Sequence, residues 1–258
     1  MIRMARVRTG ITEFDQMLGG GFMEGDAVLL AGSAGTGKTT LGMQYLVGGA
    51  AHGEPGIYVT FEQLPEQLYR DAKSFGWDLR RMEEEDTLRV LCTSPNLLME
   101  ESGVEVLLER SMEEINPKRI VIDSLSHVSM YVKDEELRKE LYRTLMYFKM
   151  RKLSSLLLWE APQIGRESTA ISDAGMSFLA DAVVMMKLVE IESQIKHAIA
   201  VIKMRGSAHD KYLREYEITK TGIMMKANFG QLEGIMTGTA HRAPSDKFME
   251  LFAKAAKS

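Results

Sequence analysis

A chain of 258 residues with 45% hydrophobic and 26% charged content has the makeup of an ordinary globular protein, with room for one substantial α/β core. Its 32 Lys and Arg against 36 Asp and Glu give a net charge of -4, which excludes a global positive field drawing the chain to nucleic acid or anionic lipid. The single cysteine, Cys92, excludes an intrachain disulfide framework and a thiolate metal cage, and its place in an apolar run predicts a buried, inert thiol.

The N-terminal MIRMARVRTG is basic but has no apolar signal core, and no apolar run reaches bilayer-spanning length, so a cytoplasmic, membrane-free protein is expected. The 19 methionines are scattered over apolar positions and read as adaptable core filler.

The first apolar run, 27–31, predicts a strand buried on both faces. It leads into Gly32-Ser33-Ala34-Gly35-Thr36-Gly37-Lys38-Thr39, the G-x-x-x-x-G-K-S/T pattern, with a helix expected from near Lys38. Glycines there let the backbone curl so that successive N–H groups and the helix N-terminus face a polyphosphate. Lys38 is expected at the β and γ phosphates of ATP, and the Thr39 hydroxyl is a candidate oxygen ligand for Mg²⁺. Ser33, Ala34, Gly35, Thr36, Gly37 and Thr40 complete the expected cradle.

The run 57–61 predicts a second strand ending at Glu62, a candidate to orient or deprotonate an attacking water. Its structural alternative is a helix N-terminal acid ahead of the pattern at 64–75. A strand is expected at 88–92, and another at 120–122 ends in Asp123, placed to hold the metal at the C-terminal edge of a parallel sheet. Residues 134–152 carry Leu137, Leu141, Leu145 and Phe148 on one helical stripe. A strand at 155–159 and the polar loop 161–181 follow. Alternating strands and helices predict a mostly parallel sheet with helices on its flanks.

Apolar β-rich segments at 182–191 and 195–203 flank Glu192-Ser193-Gln194 and predict a hairpin that extends the sheet antiparallel. Near its end Lys203 and Arg205 stand two apart, which puts both cations on one face of an extended segment. They suit a triphosphate, or are a solvated pair on an edge strand. From Pro244 the tail offers Ser245 as a cap and an apolar stripe of Phe248, Leu251, Phe252 and Ala255. The expected organisation is therefore one domain over 1–243 and a helical tail over 244–258.

These residues together resemble the KaiC-like branch of the RecA superfamily. The likeness rests on Thr9-Gly10-Ile11, Gly19-Gly20-Gly21, the cradle, Val59-Thr60-Phe61-Glu62, Ser74-Phe75-Gly76-Trp77-Asp78-Leu79, Val121-Ile122-Asp123-Ser124, and Lys203-Met204-Arg205-Gly206-Ser207 followed by His209-Asp210-Lys211. It implies a RecA-like P-loop ATPase fold and a self-assembled ring, usually a hexamer, with ATP and Mg²⁺ between subunits. Lys203 and Arg205 would then act on the neighbour's nucleotide. Ser74 and the adjacent subunit's Lys211 match positions near the adenine, Ser207 and His209 positions near the ribose, and Met204 lies within the same motif. Two departures matter: the second of a usual glutamate pair is Gln63 here, which leaves Glu62 alone, and the usual adjacent phosphoacceptors reduce to Ser177 followed by Phe178. The chain carries one ATPase module where clock members have two, so the resemblance does not imply a timekeeping role.

Three functions stay open at this level: an oligomeric regulatory ATPase with an unidentified protein partner, with or without kinase activity toward itself at Ser177, a RecA-like accessory ATPase on single-stranded DNA, and a nucleotide sensor without turnover. Against DNA, the loop 161–181 carries Arg166 as its one base beside Glu167, Asp173 and Asp181, and Phe178 as its one ring.

Overall fold

Apolar side chains alternate along the central strands and so divide the core into two layers, one on each face of a sheet. In the computed structural model, which describes residues 5–100, 103–129, 134–160, 176–230, 232–233, 235 and 241–242, Val28 and Leu30 of strand β3 (Ala27–Gly32) enter one layer. Ala27, Leu29 and Ala31 enter the other.

A two-stranded ribbon, β1 (Arg6–Val7) with β2 (Phe22–Met23), encloses helix α1 (Thr12–Met17). Then come β3, α2 (Lys38–Ala50), β4 (Gly56–Thr60), α3 (Pro65–Lys73), α4 (Leu79–Glu84), β5 (Leu88–Cys92) and a 3₁₀ turn at Pro95–Met99. Helix α5 (Gly103–Ile115), β6 (Arg119–Asp123), α6 (Leu125–Ser129), α7 (Asp134–Met150) and β7 (Ser154–Glu160) complete the α/β part. A short helix Met176–Leu179 precedes β8 (Ala182–Ile191), β9 (Gln194–Met204), β10 (Arg214–Thr219) and β11 (Gly222–Asn228). A small ribbon pairs β12 (Leu232–Glu233) with β13 (His241–Arg242).

The main sheet has nine strands in the order β11-β10-β9-β8-β3-β7-β6-β4-β5. Pairing is parallel from β8 through β5 and antiparallel from β8 to β11. This is the expected RecA-like arrangement, with the hairpin adding the antiparallel edge. The stripe Leu137, Leu141, Leu145 and Phe148 is buried in the layer beneath α5 and α7. Among the described residues no helix is long and apolar enough to cross a membrane. The polar loop over 161–175 and the tail over 244–258 lie outside the described residues, as does the side chain of Ser177.

One expectation is overturned: Cys92 is exposed. It closes β5, which is the edge strand of the sheet, and there the burial of Leu88 and Val90 gives way to solvent. Position on the edge, not local apolarity, sets its environment.

Arg119 is the largest fully buried side chain among the described residues. Its guanidinium bonds the Glu54 carboxylate at 2.8 Å and donates to Arg8 O and Tyr45 O at 2.7 Å each, with the Tyr45 ring 4.6 Å away. Such satisfaction of a buried cation is what makes its burial tolerable. It ties the N-terminal segment and α2 to the start of β6.

Asp26, just before β3, is less well served. Its Oδ2 is buried with no hydrogen-bond partner among the described residues. Burial first, and then the nearby Asp181 charge, pushes its pKa from 3.8 up to about 6. The folded chain therefore keeps a proton that the unfolded chain releases between those values, so stability is lost as pH rises through that window and stays lower above it. Asp26→Asn is expected to raise stability on the order of 2 kcal/mol near neutral pH and by almost nothing at about pH 4. Urea melts at the two pH values check this; an equal gain at both would assign the effect to packing.

Candidate active site

Strand β3 ends at Gly32, and α2 begins six residues later at Lys38. The turn between them depends on backbone that only glycine tolerates. A Cβ at Gly32 would lie 2.6 Å from Met186 O, and Gly37 caps α2 at φ +82°. No side chain bonds that cap, and the first turn carries no acid. The first-turn amides are thus left to an external anion, which is the fit a polyphosphate requires.

Lys38 is buried over this turn and donates to Gly32 O and Ser33 O at 2.8 Å each. Burial lowers its pKa, while Glu160 and then Asp123 push it back toward the charged form. The Thr36 hydroxyl turns inward and donates to Ser33 O at 2.8 Å, so its side chain holds the loop instead of facing the cavity.

Two donors meet on one oxygen of Asp123. Thr39 Oγ1 donates to Oδ2 at 2.7 Å and Tyr58 OH donates to it at 2.6 Å. Burial raises the Asp123 pKa, and the Tyr58 and Thr39 bonds oppose that rise. Burial and Asp123 itself raise the Tyr58 pKa, which keeps the phenol a donor. The hydroxyl of Thr39 and the carboxylate of Asp123 are hard oxygen donors, the set that Mg²⁺ takes. The Asp123-Ser124 peptide is cis.

Glu62 follows β4, where Thr60 Oγ1 bonds the main-chain N–H and C=O of Gln63 at 3.1 and 3.2 Å. Its Oε2 stands 3.3 Å from His127 Nε2, and His127 Nδ1 is 3.1 Å from Ser124 Oγ. Glu160, at the end of β7, donates its main-chain N–H to Ser126 Oγ at 2.6 Å.

Lys38, Thr39, Asp123, Glu62, His127 and Glu160 all line one cavity of about 350 Å³, as do Ala34, Gly35 and Gly37. A wider groove of about 810 Å³ lies between α5 and α7, but none of the motif residues reaches it, so chemistry and not size marks the site. A buried cation, a helix N-terminus and hard oxygens facing a carboxylate can hold a metal-bound polyphosphate and act on it with water. Tyr58, His127 and Glu160 escaped the sequence reading. Glu160 had a signal, since it ends a buried strand as Asp123 does; Tyr58 and His127 had none, being ordinary residues within a strand and a helix.

The remaining predicted positions do not line the cavity. Lys203 Nζ donates to Ala180 O at 2.8 Å. Arg205 donates to Phe178 O at 2.9 Å and lies 3.5 Å from Asp181 Oδ1. The Lys203 pKa is lowered by burial and then by the Arg205 charge. Met204 between them turns into the core. Ser207 Oγ accepts from Arg6 at 2.6 Å, the Ser74 hydroxyl donates to Asp71 O at 2.6 Å, and His209 Nδ1 is buried without a partner among the described residues. Lys211 is exposed.

The family model described as "ATPase: KaiC" matches residues 7–228. The chain is 32% identical over 234 residues to the circadian clock protein KaiC3 of Synechocystis, covering 91% of this chain and 46% of that protein. It is 33% identical over 249 residues to the circadian clock oscillator protein KaiC of Thermostichus vulcanus, covering 95% and 47%. With the oscillator protein KaiC of Synechococcus elongatus it shares 35% over 250 residues, covering 95% and 47%. The chain spans about half the length of these curated relatives.

Proposed function

Because this chain belongs to the KaiC ATPase family, we propose that it binds ATP with Mg²⁺ in the cavity between β3, β4 and β6 and hydrolyses the β–γ phosphoanhydride bond. The observation that carries this reading is the meeting of Lys38, Thr39, Asp123 and Glu62 on one cavity although they come from three separate segments of the chain. Thr39 and Asp123 hold the metal, which when bound neutralises charge on the phosphate oxygens. Lys38 offsets the charge that grows on the β and γ phosphates, and the cradle amides fix the chain of phosphates in place. Glu62 orients the attacking water and takes its proton on a carboxylate oxygen while the bond to the departing diphosphate breaks.

Lys203 and Arg205 complete the site of a neighbouring subunit in a ring. Their place at the end of β9, outside their own cavity, supports a role in trans, as does the family likeness. Ser74 and Lys211 would flank the adenine, Ser207 and His209 the ribose. The ring would serve a regulatory or signalling partner. Autokinase activity, with Ser177 as the acceptor, stays an open addition to this reading, and mass spectrometry after incubation with Mg–ATP tests it.

Phosphate release and hydrodynamic size, measured with and without ATP and Mg²⁺, test the proposal. Metal-dependent release together with ATP-dependent assembly is expected. Tight binding without release would favour the sensor, and a monomer under both conditions would remove the trans roles. A salt-sensitive shift of labelled single-stranded DNA would revive the nucleic-acid reading.

A further inference from the structure

Glu62 sits on the turn after β4, and its side chain is 72% exposed. A glutamate with that freedom samples many rotamers, whereas a group that aims a water must be held close to one geometry. Its own turn does not supply the hold, because the Thr60 hydroxyl pins the main chain of Gln63 and not the Glu62 carboxylate. Among the described residues the side chain that meets the Glu62 carboxylate is His127, with Nε2 3.3 Å from Oε2.

His127 is itself restrained. Its side chain is 28% exposed, it lies in α6 just after Asp123, and its Nδ1 is 3.1 Å from the hydroxyl of Ser124. One tautomer serves both neighbours: Ser124 O–H donates into Nδ1, which leaves the proton on Nε2 facing the carboxylate.

We propose that His127 is a positioning residue that holds Glu62 over the cavity. The side-chain chain Glu62–His127–Ser124 then joins the end of β4 to the residue next to Asp123, so the water-orienting and metal-holding ends of two adjacent strands share one arrangement. This rests on the reading of Glu62 given above, and the experiment separates the two.

Steady-state turnover is compared for His127→Gln, His127→Asn, His127→Ala, Glu62→Gln and the double variant Glu62→Gln/His127→Ala, with calorimetry of Mg–ATP as the check on folding. Gln reaches the place of Nε2 with an N–H, whereas Asn reaches only that of Nδ1. Asn and Ala are expected to lower kcat about ten- to a hundredfold with KM changed less than about twofold, and Gln to keep most of it. Adding His127→Ala to Glu62→Gln is expected to lower kcat no further. Wild-type kcat in His127→Ala, equal losses in Gln and Asn, or a further loss in the double variant would overturn the positioning role while leaving Glu62 in place. Wild-type kcat in Glu62→Gln would remove the Glu62 assignment and this inference with it. If His127→Ala does not fold, the Gln and Asn pair decides.

Discussion

Lys38→Ala is expected to weaken ATP binding by about 10- to 100-fold, the equivalent of one charge-assisted hydrogen bond worth about 1.5–3 kcal/mol. Turnover should fall further, on the order of 10²- to 10³-fold, because the charge on the departing phosphate grows in the transition state where the ammonium acts. The geometry explains both parts. Lys38 is buried, so its charge is poorly screened, and Glu160 and Asp123 favour its protonated form against the cost of burial. Alanine also removes the two bonds to Gly32 O and Ser33 O. Calorimetry with Mg–ATP and a phosphate-release assay read the two effects separately. Undiminished affinity would place the nucleotide elsewhere.

Arg205→Ala is expected to lower turnover by about 10³-fold, the low end of what a transition-state arginine contributes, with ATP binding largely kept. The decisive result comes from mixing. Lys38→Ala subunits hold little triphosphate but still present Arg205; Arg205→Ala subunits hold triphosphate but present no guanidinium. In a head-to-tail ring of equal parts, about a quarter of the interfaces join a loaded cavity to an intact arginine. Mixed subunits are therefore expected to recover about a quarter of wild-type turnover, where each variant alone has almost none. Absence of recovery would confine Arg205 to its own subunit. There its contacts with Asp181 and Phe178 O would make it a support for the start of β8. Asp181 also binds Lys149 at 2.7 Å and the main-chain N–H of Ala27 at 3.0 Å, so the cation is anchored beside the strand that leads into the cradle.

Much of this architecture is written in short stretches of sequence. The strand at 27–31, the glycine turn and the helix from Lys38 are set by neighbours a few residues apart, because backbone curl, capping and apolar alternation act over that range. The stripe from Leu137 to Phe148 was legible for the same reason, and the hairpin at 182–204 followed from two apolar runs and a polar gap. Asp123 could be proposed because a carboxylate ending a buried strand, a weak signal alone, stands in the same chain as the glycine cradle.

Proximity across the sheet was not legible. Adjacency of β6 and β4 brings Tyr58 and Asp123 together over 65 positions, and the packing of α2 on the sheet brings Thr39 to the same oxygen over 84. Strand order also decided that Cys92 lies at an edge, that Glu160 shares the cavity, and that His127 reaches Glu62. By itself the sequence determined which segments are strand, helix or phosphate turn, since those depend on local backbone preference and side-chain period. Which side chains touch was decided by the tertiary structure, because such contacts arise only when segments distant in the chain are laid side by side.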